Sequence, residues 1–195
     1  MDLKPIFPTK TNINQTNYYW FEKGFTDLEV NKIIESAKNY NFEKATIVDE
    51  VNTDKYRKSN IKWLPFDSEW EWVIDRLMSQ IIEANNTIWN FDLKTGIDKI
   101  QYTEYEGNGG HYNWHLDIGP ENISHRKISI VVQLSHTDEY EGGDLQLMNS
   151  SDVTTVPRGK GNVIIFPSFL LHRVTPLTSG NRKSLVWWVG GDHYK

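Results

Sequence analysis

The 195-residue chain contains no cysteine. That absence removes disulfides, thiolate catalysis and Cys-ligated zinc or iron–sulfur centres. Any metal must be held by His, Asp or Glu. No apolar run approaches the ~18 residues that cross a bilayer, and Met1 to Lys10 lacks the apolar stretch of a secretory leader. The expected compartment is therefore the cytoplasm. Basic residues number 21 against 26 acidic, a net charge of −5. Such a balance gives no basic footprint for a phosphate backbone, so nucleic acid is a disfavoured partner; with no long apolar run, no membrane partner is expected either. No Pro-rich linker, repeat or low-complexity run divides the chain, and its length suits one domain.

What is present is aromatic. Phe, Trp and Tyr make up 13% of the residues, with eight Trp, which suits a packed core and a lined pocket. Two helices are predicted in the first half. Thr26-Asp27-Leu28-Glu29 has the form of a capping box, followed by Val30, Ile33, Ile34 and Ala37 at helical period. Ser68-Glu69-Trp70-Glu71 repeats the signal before Val73, Ile74, Leu77, Met78, Ile81 and Ile82. Short strands are expected at Ala45 to Val51 and Ser59 to Leu64.

From Asp98 the texture becomes β. Eight strands are predicted, near Lys99–Tyr105, Tyr112–Asp117, Lys127–Leu134, Asp144–Met148, Val153–Val156, Asn162–Phe166, Leu170–Val174 and Lys183–Val189. Gly-, Pro- and Asn-rich turns separate most of them. The expected fold is mostly β with flanking α-helices, a double-stranded β-helix (jelly roll) core. The helical support region would run over about 1–97 and the catalytic core over about 98–192.

His115-Leu116-Asp117 carries the first chemical clue. Residues two apart on a strand face the same way, so an imidazole and a carboxylate converge. A second imidazole, His172, sits on a later strand that could pair beside the first. Two His and one carboxylate leave about three coordination positions open, which suits Fe(II) with O2 and a chelating co-substrate, although Mn, Co, Ni or Zn would also fit. An HxD triplet alone is common by chance. His111 is the rival ligand because it shares strand parity with His115; a Gly-rich loop before it places it at the mouth. His125, His136 and His193 read as exposed. Ten residues past His172, Arg182 and Ser184 share a strand face. An inward Arg requires an anion, either a buried Asp or the carboxylate of a ligand.

At this point the chain resembles a known family. Tyr105 to Asp117, Tyr-Glu-Gly-Asn-Gly-Gly-His-Tyr-Asn-Trp-His-Leu-Asp, resembles the Y-x-x-G…Y-x-x-H-x-D segment of prolyl-hydroxylase-like 2-oxoglutarate oxygenases. Asn162 to Pro176, continuing through Gly180-Asn181-Arg182-Lys183-Ser184-Leu185, is very like bacterial and phage PKHD-type hydroxylases. Gly142-Gly143-Asp144-Leu145 matches the family's G-G-[DE]-L strand. The likeness covers about residues 98–192 closely and the helical half more loosely.

The resemblance implies that His115, Asp117 and His172 ligate iron and form the catalytic centre. Arg182 would pair with the 5-carboxylate of 2-oxoglutarate, assisted by Ser184, and Tyr105 would line the co-substrate pocket. Gln133 stands where some prolyl hydroxylases have a Tyr on that carboxylate; Gln can also donate a hydrogen bond. Arg126 matches a recurrent family Arg and reads more simply as a salt-bridge residue. The implied cofactors are Fe(II), 2-oxoglutarate as co-substrate and O2, with ascorbate as an additional ligand. The implied reaction is C–H hydroxylation of a peptide or protein, with a prolyl residue the leading target. Tyr112, Trp63 and the Arg57-Lys58-Ser59 segment are candidates for the pocket rim, whereas Trp114 is out of phase with His115. Rival readings are a nucleic-acid demethylase on the same iron site, a cupin-like metal or ligand binder, and a non-catalytic structural module.

Overall fold

The structure is a computed structural model and describes residues 17–45, 53–96 and 99–193. In chain order the first half gives β1 (Tyr19–Phe21), α1 (Asp27–Ala37), β2 (Glu43–Lys44), α2 (Thr53–Tyr56), β3 (Arg57–Lys58), β4 (Asn60–Leu64) and α3 (Glu71–Ala84). A π-turn at Asn85–Trp89 ends α3, followed by β5 (Leu93–Gly96) and β6 (Ile100–Glu106). The remainder is β7 (His111–His115), β8 (Arg126–Gln133), β9 (Tyr140–Gly142), β10 (Leu145–Asn149), β11 (Asp152–Thr155), β12 (Val163–Pro167), β13 (Leu171–Val174) and β14 (Leu177–Gly191).

All eight strands expected after residue 98 are present. β1, β5 and β9 were not expected; they are three- or four-residue strands. The strand expected at Ala45 to Val51 falls largely outside the described residues, and β2 ends just before it. The antiparallel strands form two sheets. The larger runs β1-β12-β8-β14-β6-β4-β2, with β5 and β9 also paired to β14; the smaller runs β11-β10-β13-β7-β3. This is the double-stranded β-helix.

Period-two alternation explains how the larger sheet serves two cores. Along β8, Ile128, Ile130 and Val132 face the helices, while Val131 packs in the inter-sheet core. On β12, Val163 and Ile165 face the helices, and Ile164 and Phe166 face the smaller sheet. β14 likewise sends Leu185, Trp187 and Val189 outward, leaving Arg182, Ser184, Val186 and Trp188 to line the inner cavity. Both faces of the sheet are covered, so the central strands are apolar nearly throughout.

The helices cover the outer face. From α1, Val30, Ile33 and Ala37 enter that core, joined by Val73, Leu77 and Ile81 of α3. The α1 capping box forms as expected: the Glu29 amide donates to Thr26 Oγ at 3.3 Å, and the Thr26 amide donates to Glu29 Oε2 at 2.8 Å. Thr26→Ala is expected to cost about 1 kcal/mol of stability in urea unfolding.

Two details of α3 differ from the sequence reading. Ser68 does not cap it. The helix begins after Trp70, and the Asp67 carbonyl accepts from the amides of Trp70 and Glu71 at 3.1 and 3.0 Å. Asp67 Oδ1 also accepts from the Glu69 amide at 3.0 Å. An Asp beside a Ser offers the stronger acceptor for the same turn. Ile82, assigned to the apolar face, is 49% exposed.

Candidate metal centre

His115 closes β7 and His172 lies in β13, directly opposite each other in the register of the smaller sheet. Their ring centroids are 4.1 Å apart. Asp117 lies two residues beyond the end of β7, not within the strand as expected from sequence. Its amide donates to the Ser168 carbonyl at 3.0 Å, which turns the chain back toward the imidazoles. His172 Nε2 is then 3.4 Å from Asp117 Oδ2, and His115 Nε2 is 3.7 Å from Oδ1. One ligand atom from each residue falls within 4.8 Å of the others.

The hydrogen bonds fix what each donor presents. His115 Nδ1 lies 2.7 Å from the Asn113 carbonyl, and His172 Nδ1 lies 2.8 Å from that of Leu170. A carbonyl only accepts, so each Nδ1 carries the proton and each Nε2 turns toward the shared point. Burial, then the neighbouring His172, push the His115 imidazole down to about 3. The ring is neutral at physiological pH, as a metal donor must be. For Asp117, burial alone would raise the pKa, but His172, His115 and the Ser129 hydroxyl outweigh it and hold the carboxyl well below the usual carboxylate range. His172 is disfavoured as a cation by burial, yet the adjacent Asp117 carboxylate overrides this and raises its pKa.

Ser129 was not singled out from sequence. It is fully buried, and its hydroxyl donates to Asp117 Oδ2 at 2.6 Å. That uses its only proton, so Ser168 must donate to Ser129 across their 3.0 Å contact. The signal was a polar residue in the otherwise apolar run Ile128-Ser129-Ile130-Val131. Loss of such an outer-shell partner typically costs about 10–100-fold in metal affinity. Ser129→Ala is expected to weaken Mn(II) binding by that factor in equilibrium dialysis.

A β-bulge shapes the rest of the centre. His172 pairs with His115 but Val174 pairs with Tyr112, so β7 spends one extra residue here. Alternation is thereby reversed: Tyr112, an odd number of residues from His115, lies on the same face. Its ring stacks on that of His115 at 3.5 Å and 15°. His111 is taken out of phase, and its ring nitrogens face the Gly109 and Lys55 carbonyls at 2.8 and 3.1 Å. The rival ligand is thus excluded from the cluster. His136 and His193 are exposed as expected, whereas His125 is half-buried, its ring 6.1 Å from that of His193.

The three residues open into a cavity of about 850 Å³ between the sheets. Tyr105, Arg182 and Ser184 line it, as do Tyr112, Trp63 and Arg57 of the expected rim. Lys58 and Ser59 do not reach it; Lys58 Nζ donates to the Asn108 carbonyl instead. Trp114 is on the opposite face, under the Arg173 guanidinium at 4.5 Å. Arg126 lines the cavity too, lying 3.9 Å over the Trp188 ring and donating to the Asp117 carbonyl at 3.2 Å.

Arg182 is only 1% exposed, and among the described residues no carboxylate pairs with it. Its Nη2 donates to Gln133 Oε1 at 2.9 Å, while its Nε is buried without a partner. Gln133 is not on the cavity wall. It stands behind the guanidinium and holds it from the neighbouring strand, with its own Nε2 also buried and unpartnered. A glycine makes the space: a Cβ on Gly143 would meet Leu177 Cδ1 at 2.6 Å and Arg182 Cδ at 3.2 Å. A buried cation without an anion is costly; the described residues supply no carboxylate for Arg182, and a ligand carboxylate fits there. The N/O donor set of two Nε2 atoms and one carboxylate fits Fe(II), and a guanidinium with no carboxylate partner among the described residues fits a dicarboxylate in the same cavity.

Comparison with known proteins agrees with this chemistry. Residues 100–190 match the model of the 2OG-Fe(II) oxygenase superfamily. The matched stretch is the β-rich half of the chain. A PKHD-type hydroxylase of Delftia acidovorans is 32% identical over 138 residues, covering 68% of this chain and 60% of that one. Another, from Teredinibacter turnerae, is 37% identical over 87 residues, covering 42% and 38%. The chain spans 42%, 60% and 65% of the lengths of three such relatives. Among solved structures, a Trichoplax adhaerens prolyl hydroxylase in complex with a hypoxia inducible factor peptide fragment superposes with TM-score 0.76. It shares 18% identity, with 92% of this chain and 86% of that chain covered. A Pseudomonas putida prolyl-4-hydroxylase gives 0.73 at 18% identity, covering 93% and 96%. These two share the fold. No helix among the described residues is long and apolar enough to cross a membrane.

Proposed function

We propose that this chain is an Fe(II)- and 2-oxoglutarate-dependent hydroxylase acting on a C–H bond of a peptide or protein, with a prolyl residue as target. The observation that carries the reading is the shared cavity. Three convergent metal-donor atoms and a buried guanidinium with no carboxylate partner among the described residues open into one space. The PKHD-type relatives and the peptide-bound structural neighbour support the hydroxylase and peptide parts of the reading.

In this reading His115, Asp117 and His172 hold the iron. Bound iron and 2-oxoglutarate would supply the oxidising chemistry: decarboxylation of the diacid to succinate and CO2 takes one atom of O2, and the other would enter the substrate C–H bond. The residues contribute geometry. Asn113 and Leu170 carbonyls orient the two imidazoles, and Ser129 holds the carboxylate. Arg182, steadied by Gln133, takes the distal carboxylate of 2-oxoglutarate; Ser184 and Tyr105 line that end. Val131, Leu145, Val174 and Val186 give the cavity apolar walls that limit water around the reacting groups. The test is succinate release with proline-containing peptides, followed by mass spectrometry for a product heavier by one oxygen atom. Turnover of 2-oxoglutarate with the added oxygen on a non-prolyl residue would retain the oxygenase and reject the prolyl target.

A further inference from the structure

The cavity differs in charge from the molecule that contains it. The chain carries a net charge of −5, yet among the described residues four basic side chains, Lys55, Arg57, Arg126 and Arg182, line the cavity against one acid, Asp117. Asp117 belongs to the metal centre, and Arg182 is matched by the 2-oxoglutarate carboxylate. Arg57 and Lys55 remain to be accounted for among the described residues.

Arg57 is the buried member of that remainder, only 6% exposed. It sits on β3, paired across the smaller sheet with Tyr112. Its guanidinium lies 4.4 Å from the Tyr112 ring centroid, and that ring stacks on His115. Its Nε donates to Ser59 Oγ at 2.9 Å, its one polar partner among the described residues. The Nη groups have no carboxylate there. A guanidinium stacked on an aromatic face and tethered through Nε is preorganised, with its outer donors presented in a fixed fork that matches a carboxylate. Lys55, exposed two residues before it, adds a second cation at the cavity edge.

We propose that Arg57 forms a second anion subsite, separate from the 2-oxoglutarate end, and that the substrate presents a carboxylate close to the residue that is hydroxylated. This rests on the hydroxylase reading and narrows its substrate class to acidic peptides. The carboxylate can come from an Asp or Glu side chain or from a peptide C-terminus, and the test separates the two.

Protein loaded with Mn(II) and 2-oxoglutarate is equilibrated with random hexapeptide libraries, one with free C-termini and one amidated, and the bound peptides are sequenced by mass spectrometry. The bound fraction of the amidated library is expected to be enriched several-fold in Asp and Glu if side chains supply the anion. Preference for free over amidated termini without that enrichment assigns the C-terminus. Arg57→Gln should abolish the preference, and Arg57→Lys should restore part of it. Binding without acidic or C-terminal preference, no binding to either library, or displacement of bound peptides by a single-stranded oligonucleotide would each overturn the proposal. A fall in 2-oxoglutarate affinity in Arg57→Gln that matches the lost enrichment would also overturn it, marking Arg57 as support for the metal centre. Failure of the loading step itself, with no Mn(II) or 2-oxoglutarate bound by the unaltered protein, would reject the hydroxylase reading and the subsite together. Transfer of oxygen to a non-prolyl residue in acid-enriched peptides would reject only the prolyl target.

Discussion

Asp117→Ala is expected to abolish succinate formation while leaving the far-ultraviolet circular dichroism unchanged. Asp117 supplies the only carboxylate of the cluster, and its Oδ atoms lie 3.7 and 3.4 Å from the two Nε2 atoms. Without it two neutral imidazoles remain, and the centre loses both a donor and the negative charge that offsets a divalent cation. The fold should survive because the residue lies beyond β7 and packs no apolar core; the local loss is its contact with Ser129. Asp117→Asn makes the comparison sharper. It keeps shape and one oxygen but removes the charge, so residual Mn(II) affinity should fall between that of the unaltered protein and the alanine variant. Succinate production by Asp117→Ala at the original rate would remove Asp117 from the centre.

Arg182→Gln should raise the KM for 2-oxoglutarate by roughly 10²–10³-fold, with Mn(II) binding retained. Truncating one partner of a buried, hydrogen-bonded charge pair costs about 2–5 kcal/mol, and each 1.4 kcal/mol is tenfold. The low end of that range is excluded because the guanidinium is 1% exposed and water has little access to compensate the ligand carboxylate. The dependence on Gln133 is separable. Gln133→Leu leaves the cation but frees its Nη2, which should raise the KM by a smaller factor. An unchanged KM in Arg182→Gln, measured by initial rates over a titration of 2-oxoglutarate, would place the distal carboxylate elsewhere.

Much of this architecture follows from alternation along the strands. In Ile128-Ser129-Ile130-Val131-Val132-Gln133 the even positions feed the helix-covered core, and the odd ones face inward. The same logic brings Arg182 and Ser184 to the cavity and keeps Trp114 off it. The helix start at Thr26 was legible because the box is satisfied by side chains named in the sequence. The start of α3 was not, because Asp67 and Ser68 compete for one turn and only coordinates decide between them.

Other features left no mark. Each histidine ligand is oriented by the carbonyl two residues before it, Asn113 for His115 and Leu170 for His172. Backbone carbonyls are present whatever the residue, so the pattern carries no side-chain signature. The bulge in β7 likewise has no glycine or proline at Asn113-Trp114 to announce it, yet it brings Tyr112 onto His115 and moves His111 away. Strict parity had grouped His111 with the ligands and placed Asp117 inside the strand. The buried Arg–Asp pair, the simpler reading of Arg182 taken alone, is not found among the described residues for a different reason: burial of a cation can be read from strand parity, but the identity of its partner cannot.

The most direct measurement is anaerobic equilibrium dialysis of Mn(II) and 2-oxoglutarate against the unaltered protein, His172→Ala and Arg182→Gln. One metal and one diacid should be retained per chain in the first. His172→Ala should lose the metal and with it the chelated diacid, and Arg182→Gln should keep the metal while releasing the diacid. Equal metal retention by the protein lacking the residue-172 imidazole would contradict the account.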